Sequence, residues 1–357
     1  MKKFTFVTFM FALILLLVAC SSKEQEESTD TASSDSSNKE TAEEVVAEEE
    51  VKVEGELQFY TSQPDTDATA LVNKFNEIYP DVEVKIFRSG TEEVIGKLLA
   101  EKQAGSVQAD VLLVADNVTF ESLKEQGLLE SYESPEYSNL PADFVDADFM
   151  YAGTKIMATV LAVNTNDVTD LPTSWNVLTE EVAKGNAIMP SPLYSGAAAY
   201  NLGVITRQAD FGWEYYENLK ANEVSVVQGN GAALKAVAGG EKSYAMVVDY
   251  LITRGKAEGS PVDLVYPAEG VPVVTEPIGL MKDAKNPDAA KAFIDFVVSE
   301  EGQKLAAEIG YTPIREGVAA PEGLKSISEL KVISAPVSEL IKTRDEDKLK
   351  FKEMFGE

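Results

Sequence analysis

Beyond Glu56 the chain alternates three times between a short apolar segment and an amphipathic segment, with polar residues at the changes of pattern. The apolar segments have the length of strands, and the amphipathic ones repeat apolar side chains three or four residues apart, as helices do. A strand followed by a helix, repeated along the chain, predicts a parallel sheet covered by helices. The predicted strands are 57–60, 82–87 and 111–114, and the predicted helices are 67–78 with Asp67 as its cap, 92–103 and 120–126.

Polar residues follow each of these predicted strands. In parallel sheets, ligands bind beyond the carboxyl ends of the strands, which meet at one edge. Helix capping is the better explanation of any single one of these turns, but three turns at the same edge favour a binding site. The candidates are Thr61, Ser62, Ser89, Gly90, Thr91 and Asp116, with Arg88 as a further group that can pair with an anion.

A second α/β region runs from about Asn164 to Pro272. Strand-like segments at 156–163 and 271–281 flank it, so the chain leaves the first region once and returns once. Two crossings predict a hinge between two lobes, with lobe 1 at 55–160 and 275–357 and lobe 2 at 161–274. The charged stretch 326–355 is expected to be helical and to pack across the first lobe.

Two helices of this second region are predicted to begin with small and polar residues. A helix N-terminus presents free N–H groups and about half a positive charge, and it therefore favours an anion. Each start is also explained as a plain cap or turn, but helix starts from both lobes favour capture of a phosphate, phosphonate or carboxylate. The candidates in this region are Ser195, as the N-cap, Gly196, which would let a ligand approach the backbone, Ala197, Gly229, Asn230 and Gly231.

The first 20 residues have the pattern of an export signal. Lys2 and Lys3 precede an apolar stretch, 4–18, that is shorter than the roughly 20 residues of a membrane-spanning helix. Residues 17–20 read LVAC and resemble a lipobox, which predicts a lipid anchor on Cys20, the single cysteine of the chain. Residues 21–54 are rich in Ser, Thr and Glu, and predict a disordered acidic tether. The expected location is the outer face of the cytoplasmic membrane, or the periplasmic side in a two-membrane bacterium.

Composition excludes several classes of function. The formal net charge of −29 argues against nucleic acid as a partner, because phosphate backbones demand basic surfaces. The chain has no histidine, no Gly-x-Ser-x-Gly elbow and no Walker loop, so an enzyme is not expected and no cofactor is predicted. A secreted hydrolase that uses a pair of carboxylates is the remote alternative.

The C-terminal part of the chain carries a family resemblance. Residues 285–296 read KNPDAAKAFIDF, 299–303 read SEEGQ and 310–315 read GYTPIR. These segments resemble the closing part of ABC-transporter solute-binding lipoproteins, in the branch of periplasmic binding proteins for ferric ion, phosphonates and sugar phosphates. Shorter matches occur at 60–62, 88–91, 109–111, 127–129 and 228–231.

This resemblance implies the two-lobed α/β fold of the type II periplasmic binding proteins. Its two lobes are joined by two hinge strands and close on a ligand in the cleft between them. It also implies a monomer that delivers a small molecule or ion to the membrane permease of an ABC importer.

The resemblance bears on the ligand through one segment. In ferric relatives two adjacent tyrosines bind iron just after the strand that matches Tyr244 to Val248. Tyr250 matches the first tyrosine, whereas Leu251 stands in place of the second. Asp249 and Tyr250 are instead expected to hydrogen-bond an organic ligand, although packing at the cleft edge also explains Tyr250. The expected ligand is a small anion of organophosphate or phosphonate type, with ferric iron, held in part by Tyr250, as the alternative.

Overall fold

The structure is a computed structural model that describes residues 52–356. The predicted signal peptide, the lipidated Cys20 and tether residues 21–51 lie outside the described residues. Within residues 52–356 no helix has both the length and the apolar character needed to cross a membrane.

The described chain is a mixed α/β protein. Its strands are β1 (Gly55–Thr61), β2 (Val82–Arg88), β3 (Val111–Leu113), β4 (Leu129–Glu130), β5 (Lys155–Asn164), β6 (Ala187–Pro190), β7 (Ser225–Val227), β8 (Tyr244–Val248), β9 (Val262–Val265), β10 (Val273–Val274), β11 (Ile278–Met281) and β12 (Thr312–Pro313). Its α-helices are α1 (Asp65–Ile78), α2 (Thr91–Gln103), α3 (Asn117–Glu125), α4 (Gly196–Ile205), α5 (Gly212–Ala221), α6 (Asn230–Ala238), α7 (Asp249–Ala257), α8 (Pro287–Val298), α9 (Glu300–Glu308) and α10 (Val337–Phe355). Short 3-10 helices lie at Pro135–Asn139, Ala142–Phe144, Trp175–Thr179, Glu181–Ala183 and Ile327–Glu329.

The first sheet has the strand order β2-β1-β3-β11-β4. β1 pairs in parallel with β2 and β3, as predicted, whereas β11 returns antiparallel to β3 and β4. Phe293 of α8 packs on Phe59 of β1 and Phe75 of α1, with ring centroids 4.8 and 5.0 Å apart. Asn286 caps α8 through its side chain, which accepts the Ala289 N–H. We call this sheet, with α1–α3, α8 and α9, lobe 1.

The second sheet has the order β10-β5-β8-β6-β7, and β9 and β12 also pair with β5. All ten residues of β5 are buried, because the strand is paired along its length and covered by helices. The core beside this sheet contains Trp175, Tyr216 and Phe351. Tyr216 is therefore a packing residue. We call this sheet, with α4–α7 and α10, lobe 2.

The chain crosses between the lobes in two places. β5 makes the first crossing, where Ile156 pairs with β12 and Met157 pairs with β10. The return crossing was predicted as one strand over 271–281, but it consists of β10 and β11, which belong to different sheets. Glu276 separates them with a φ of 37°, in the left-handed region that a strand cannot adopt.

One local prediction for α1 was wrong. The helix begins at Asp65, directly after Pro64, so Asp67 lies within its first turn and does not cap it. Pro64 fixes the extended backbone before the helix, and its own carbonyl accepts the N–H groups of Asp67 and Ala68.

The position of the C-terminal helix also differs from the prediction. α10 begins at Val337 after Pro336, rather than near Ser326. It packs against α4 and α5 of lobe 2 as well as α3 of lobe 1, and Phe351 is buried in the lobe 2 core. The aromatic ring of Phe351 packs against that of Tyr216, with ring centroids 6.1 Å apart.

Candidate functional site

A cavity of about 370 Å³ lies between the two lobes. Lobe 1 contributes the turn after β1, the end of β2 and the start of α2. Lobe 2 contributes the starts of α4, α6 and α7, and the two crossings contribute Met157 and Glu276. The cavity is therefore bounded by the ends of many elements, where backbone groups are free to bind a ligand.

Four helices begin at this cavity. Thr91 opens α2, Gly196 opens α4, Asn230 opens α6, and Tyr250 lies in the first turn of α7. Ser195 is the N-cap of α4, as predicted, because its Oγ accepts the Ala198 N–H at 3.3 Å.

The first turns of α4 and α6 hold free amide donors. The N–H groups of Gly196, Ala197, Asn230 and Gly231 donate to no acceptor among residues 52–356. Helix starts with free N–H groups stabilise negative charge. The backbone alone thus makes this part of the cavity suitable for an anion.

Three charged side chains line the cavity. Arg254 is paired with Asp67 through two contacts of 3.1 and 3.0 Å, and Glu276 is paired with Lys155. Arg88 donates from Nε to the Gln63 carbonyl at 2.7 Å and makes no ion pair with any described carboxylate. Arg88 is thus the one cavity-lining charge that the described protein leaves uncompensated.

Most of the predicted binding residues line this cavity. They come from both lobes, and the structure brings them together from segments that are far apart in sequence. Their contact with a ligand stays a prediction. The predicted residues that line it are Ser62, Gly90, Thr91, Ser195, Gly196, Ala197, Gly229, Asn230, Gly231 and Tyr250.

Thr61 and Ser89 lie next to the cavity but do not line it. Thr61 is fully buried in β1, where its Oγ1 accepts the Gln63 N–H at 3.1 Å. The Ser89 hydroxyl donates to the Glu93 carboxylate, one helical turn further on. Both hydroxyls make hydrogen bonds within their own turns. This agrees with the alternative that these residues stabilise turns and helix starts rather than bind a ligand.

Asp116 is directed away from the cavity as well. It is fully buried, it caps α3 by accepting the Thr119 N–H at 2.9 Å, and it pairs with Arg344 of α10 at 2.9 Å. The local sequence indicates the cap, but it gives no sign of a partner 228 residues away. The predicted role of Asp116 in binding is not supported by this placement.

Asp249 is also turned into the protein. Its carboxylate accepts the N–H groups of Ala158 and Tyr250 at 3.2 and 2.9 Å and the Tyr266 hydroxyl at 3.2 Å. Burial raises the pKa of Asp249 to about 7, although these hydrogen bonds oppose the shift. Asp249 therefore holds the start of α7 against β5 and does not line the cavity.

Several lining residues were not predicted. Tyr194 and Gln228 directly precede predicted segments, and Arg254 follows Tyr250 by one helical turn, so proximity in sequence could have found them. Glu276 had no such signal, because it enters the cavity from the return crossing.

The lobes touch where α2 and α4 begin. A Cβ on Gly196 would lie 2.7 Å from the Ala115 carbonyl oxygen and 2.8 Å from Thr91 Oγ1. A Cβ on Gly90 would lie 2.6 Å from the Tyr194 carbonyl oxygen, which also accepts the Glu92 N–H at 3.3 Å. The space beside Gly196, expected to admit a ligand, is occupied by lobe 1.

The described residues include no group of three or more His, Cys, Asp or Glu side chains that could hold a metal ion. Tyr250 lines the cavity beside Leu251, and its ring packs on Tyr311 with centroids 4.2 Å apart. Burial raises the pKa of the Tyr250 phenol, which disfavours the phenolate form that iron requires.

A two-lobed α/β fold with a polar cavity between its lobes defines a class of proteins that capture small solutes. The chain belongs to the family of bacterial extracellular solute-binding proteins, whose model matches residues 70–332. This confirms the family resemblance and the predicted fold class.

Relatives with different named ligands share this fold. The periplasmic binding protein AfuA from Actinobacillus pleuropneumoniae, solved with fructose-6-phosphate, is 25% identical, has a TM-score of 0.78, and aligns over 85% of this chain and 99% of AfuA. Iron-bound HitA from Pseudomonas aeruginosa is also 25% identical, with a TM-score of 0.72 over 83% of this chain and 99% of HitA. A probable ABC transporter periplasmic-binding protein of Sinorhizobium fredii is 26% identical over 65% of this chain and 67% of that protein. Fold and identity alone therefore leave the ligand open.

Proposed function

We propose that this protein captures a small organic anion, of organophosphate or phosphonate type, and delivers it unchanged to the permease of an ABC importer. In this proposal the lobes close on the solute about their two crossings, and a lipid on Cys20 holds the protein at the outer face of the membrane. The observation that carries the choice of ligand is Arg88, an uncompensated cation in a cavity where helices begin.

Electrostatics support an anion. Each helix start contributes about half a positive charge, and the free N–H groups of α4 and α6 can donate directly to an oxyanion. Arg88 adds a full charge from the opposite lobe. The local field is thus positive, although the whole chain carries a formal charge of −29.

The size of the cavity supports an organic solute rather than a bare ion. Its volume of about 370 Å³ falls within the range of roughly 300–1,000 Å³ that is usual for small-molecule sites. The side chains of Tyr194 and Gln228 offer polar groups for the body of such a solute, and Met157 and Val248 offer apolar surface.

Ferric iron is the second candidate, because iron-bound HitA shares the fold at the same identity as AfuA. Iron(III) needs several hard anionic oxygens. In this cavity the phenols of Tyr194 and Tyr250 and the carboxylate of Glu276 are the candidate anionic donors, but the pKa of the Tyr250 phenol is raised and Glu276 is paired with Lys155. Leu251 supplies no oxygen where ferric relatives have their second tyrosine. These contacts favour the organic anion.

Calorimetry on the ligand-free protein tests the choice. We expect micromolar or tighter binding of at least one member of a panel of sugar phosphates and phosphonates, and recovery of that compound unchanged. Chelated ferric ion is titrated in parallel while the visible absorption of iron phenolate is recorded. Tight ferric binding with that absorption, and no heat from the organic panel, would contradict the proposal.

Arg88→Met provides the residue-level test, with Arg88→Lys as the matched control that keeps the charge. A hydrogen bond to a charged group contributes about 1.5–3 kcal/mol, so the Met variant should bind the anion roughly tenfold to a hundredfold more weakly. The Lys variant should lose less. Equal affinities in wild type and Arg88→Met would show that the anion is not at Arg88.

A further inference from the structure

Helix α10 is anchored on lobe 2. A Cβ on Gly203 of α4 would lie 2.8 Å from Leu340 Cδ2, so the two helices are in close contact. Arg207, just after α4, pairs with Glu339 at 3.1 Å and with Asp347 at 2.8 Å. The anchor therefore combines apolar packing with ion pairs along the first three turns of the helix.

From this anchored helix two cations reach lobe 1. Arg344 places Nη1 2.9 Å from the Asp116 carboxylate and Nη2 2.8 Å from the Glu92 carboxylate. Lys348, four residues later and so on the same helix face, places Nζ 2.8 Å from the other oxygen of Glu92. Each cation thus joins a helix of lobe 2 to a carboxylate of lobe 1.

These groups are poorly accessible to solvent. The Asp116 side chain is 0% exposed, and those of Arg344 and Glu92 are each 15% exposed. Burial alone would raise the pKa of Glu92, but Arg344 and Lys348 lower it below its usual value. A carboxylate that lost its partner while still buried would be strongly destabilised. When the lobes are in contact, the buried carboxylates of lobe 1 are therefore stabilised by the two cations of α10.

The contact also adjoins the cavity. Glu92 follows Thr91, which lines the cavity, and its own N–H donates to Tyr194 of lobe 2. Asp116 follows Ala115, which lines the cavity and faces Gly196. Separation of the lobes at this point would open the cavity and break the ion pairs together.

We propose that Arg344 and Lys348 form an electrostatic latch with Asp116 and Glu92 that stabilises the closed form of the protein. These residues need not touch the solute. They are positioning residues that set the balance between open and closed forms and hence the rate of solute release. The inference rests on the proposed closure of the lobes.

Distance measurements between spin labels test the latch. Labels are placed on exposed positions of the two lobes by Gln103→Cys and Glu217→Cys, in the full chain with Cys20→Ser so that no other thiol is present. Distance distributions are recorded without ligand and with the tightest-binding sugar phosphate or phosphonate of the panel. Arg344→Met is compared with Lys342→Met, which removes the same charge from an exposed position of α10 that makes no described ion pair.

We expect the closed population to fall at least fivefold in Arg344→Met and to be unchanged in Lys342→Met. Solute dissociation should accelerate by a similar factor. Glu92→Gln removes a latch carboxylate from lobe 1 and should also lower the closed population. The latch can therefore still be tested if Arg344→Met folds poorly. Equal closed fractions in wild type, Arg344→Met and Glu92→Gln would overturn the latch alone. If the distance between the labels in the wild type is the same with and without ligand, lobe closure itself is overturned, and the latch with it.

Discussion

At the scale of single residues, two carboxylates predicted at the binding site are buried in the protein instead of lining the cavity. Asp249 illustrates this: its carboxylate binds two backbone N–H groups and the Tyr266 hydroxyl, and burial raises its pKa to about 7. An acid whose folded pKa lies above its unfolded value of about 3.9 holds its proton longer in the folded state. Its contribution to stability is therefore present at low pH and is lost as pH rises towards 7.

Asp249→Asn tests this linkage. The amide can still accept from the two backbone N–H groups and can donate to Tyr266, but it does not titrate. We expect the melting temperature of the wild type to fall relative to that of the variant as pH rises from 5 to 8, by several degrees. Thermal unfolding across that pH range measures the difference. A difference in melting temperature that stays constant across this pH range would show that the pKa of Asp249 is not raised.

At the scale of elements, the binding cavity depends on how closely two helix starts approach each other. Gly196 of α4 lies against Ala115 and Thr91, where a Cβ would come within 3.0 Å of fixed backbone and side-chain atoms. A helix itself gains from Ala in place of Gly, by up to about 1 kcal/mol. Substitution here should therefore leave lobe 2 folded and hold the lobes apart.

Gly196→Ala should bind the solute at least tenfold more weakly than wild type while melting at the same or a higher temperature. Gly96→Ala in α2 is the matched control, because a Cβ there meets nothing within 4 Å. Calorimetry and thermal unfolding of both variants give the comparison. Undiminished affinity in Gly196→Ala would indicate that the contact between α2 and α4 is not needed for binding.

The helices and strands differ in how well their positions can be predicted from the sequence. β2 and α2 lie within one residue of their predicted bounds, 82–87 and 92–103, and Ser195 caps α4 as predicted, because these features depend on neighbouring residues. α4 begins at Gly196, directly after the predicted N-cap Ser195, although this helix is buried on every side and shows no amphipathic pattern. The partner of Asp116 and the packing of α10 were not predictable, since long-range contacts leave no local signal.

At the scale of the whole molecule, the proposed placement of the protein at the membrane can be tested separately from ligand binding. The described residues hold the cavity and both lobes, and they include no helix suited to spanning a membrane. The attachment to the membrane proposed above is a lipid on Cys20, with residues 21–54 as the tether.

Cys20→Ser should release the protein from the membrane fraction. One acyl chain gives only marginal membrane binding, whereas two or more hold a soluble domain firmly, so loss of the modified residue should change the distribution completely. Cell fractionation and immunoblotting of wild type and variant measure it, with Ser21→Ala as the control for a change next to the cysteine. A variant that stays with the membrane as firmly as wild type would contradict the lipoprotein proposal.

The packing of Phe351 in the core of lobe 2 has a consequence for how the chain matures. The other fully enclosed residues of that core lie between Ala158 and Val271, so the hydrophobic interior is incomplete until the chain has been synthesised as far as Phe351. The buried core of lobe 1 likewise extends to Ile314. The cores of both lobes are thus completed only by residues from the last part of the chain, so a C-terminal truncation before Phe351 should leave lobe 2 with an incomplete core.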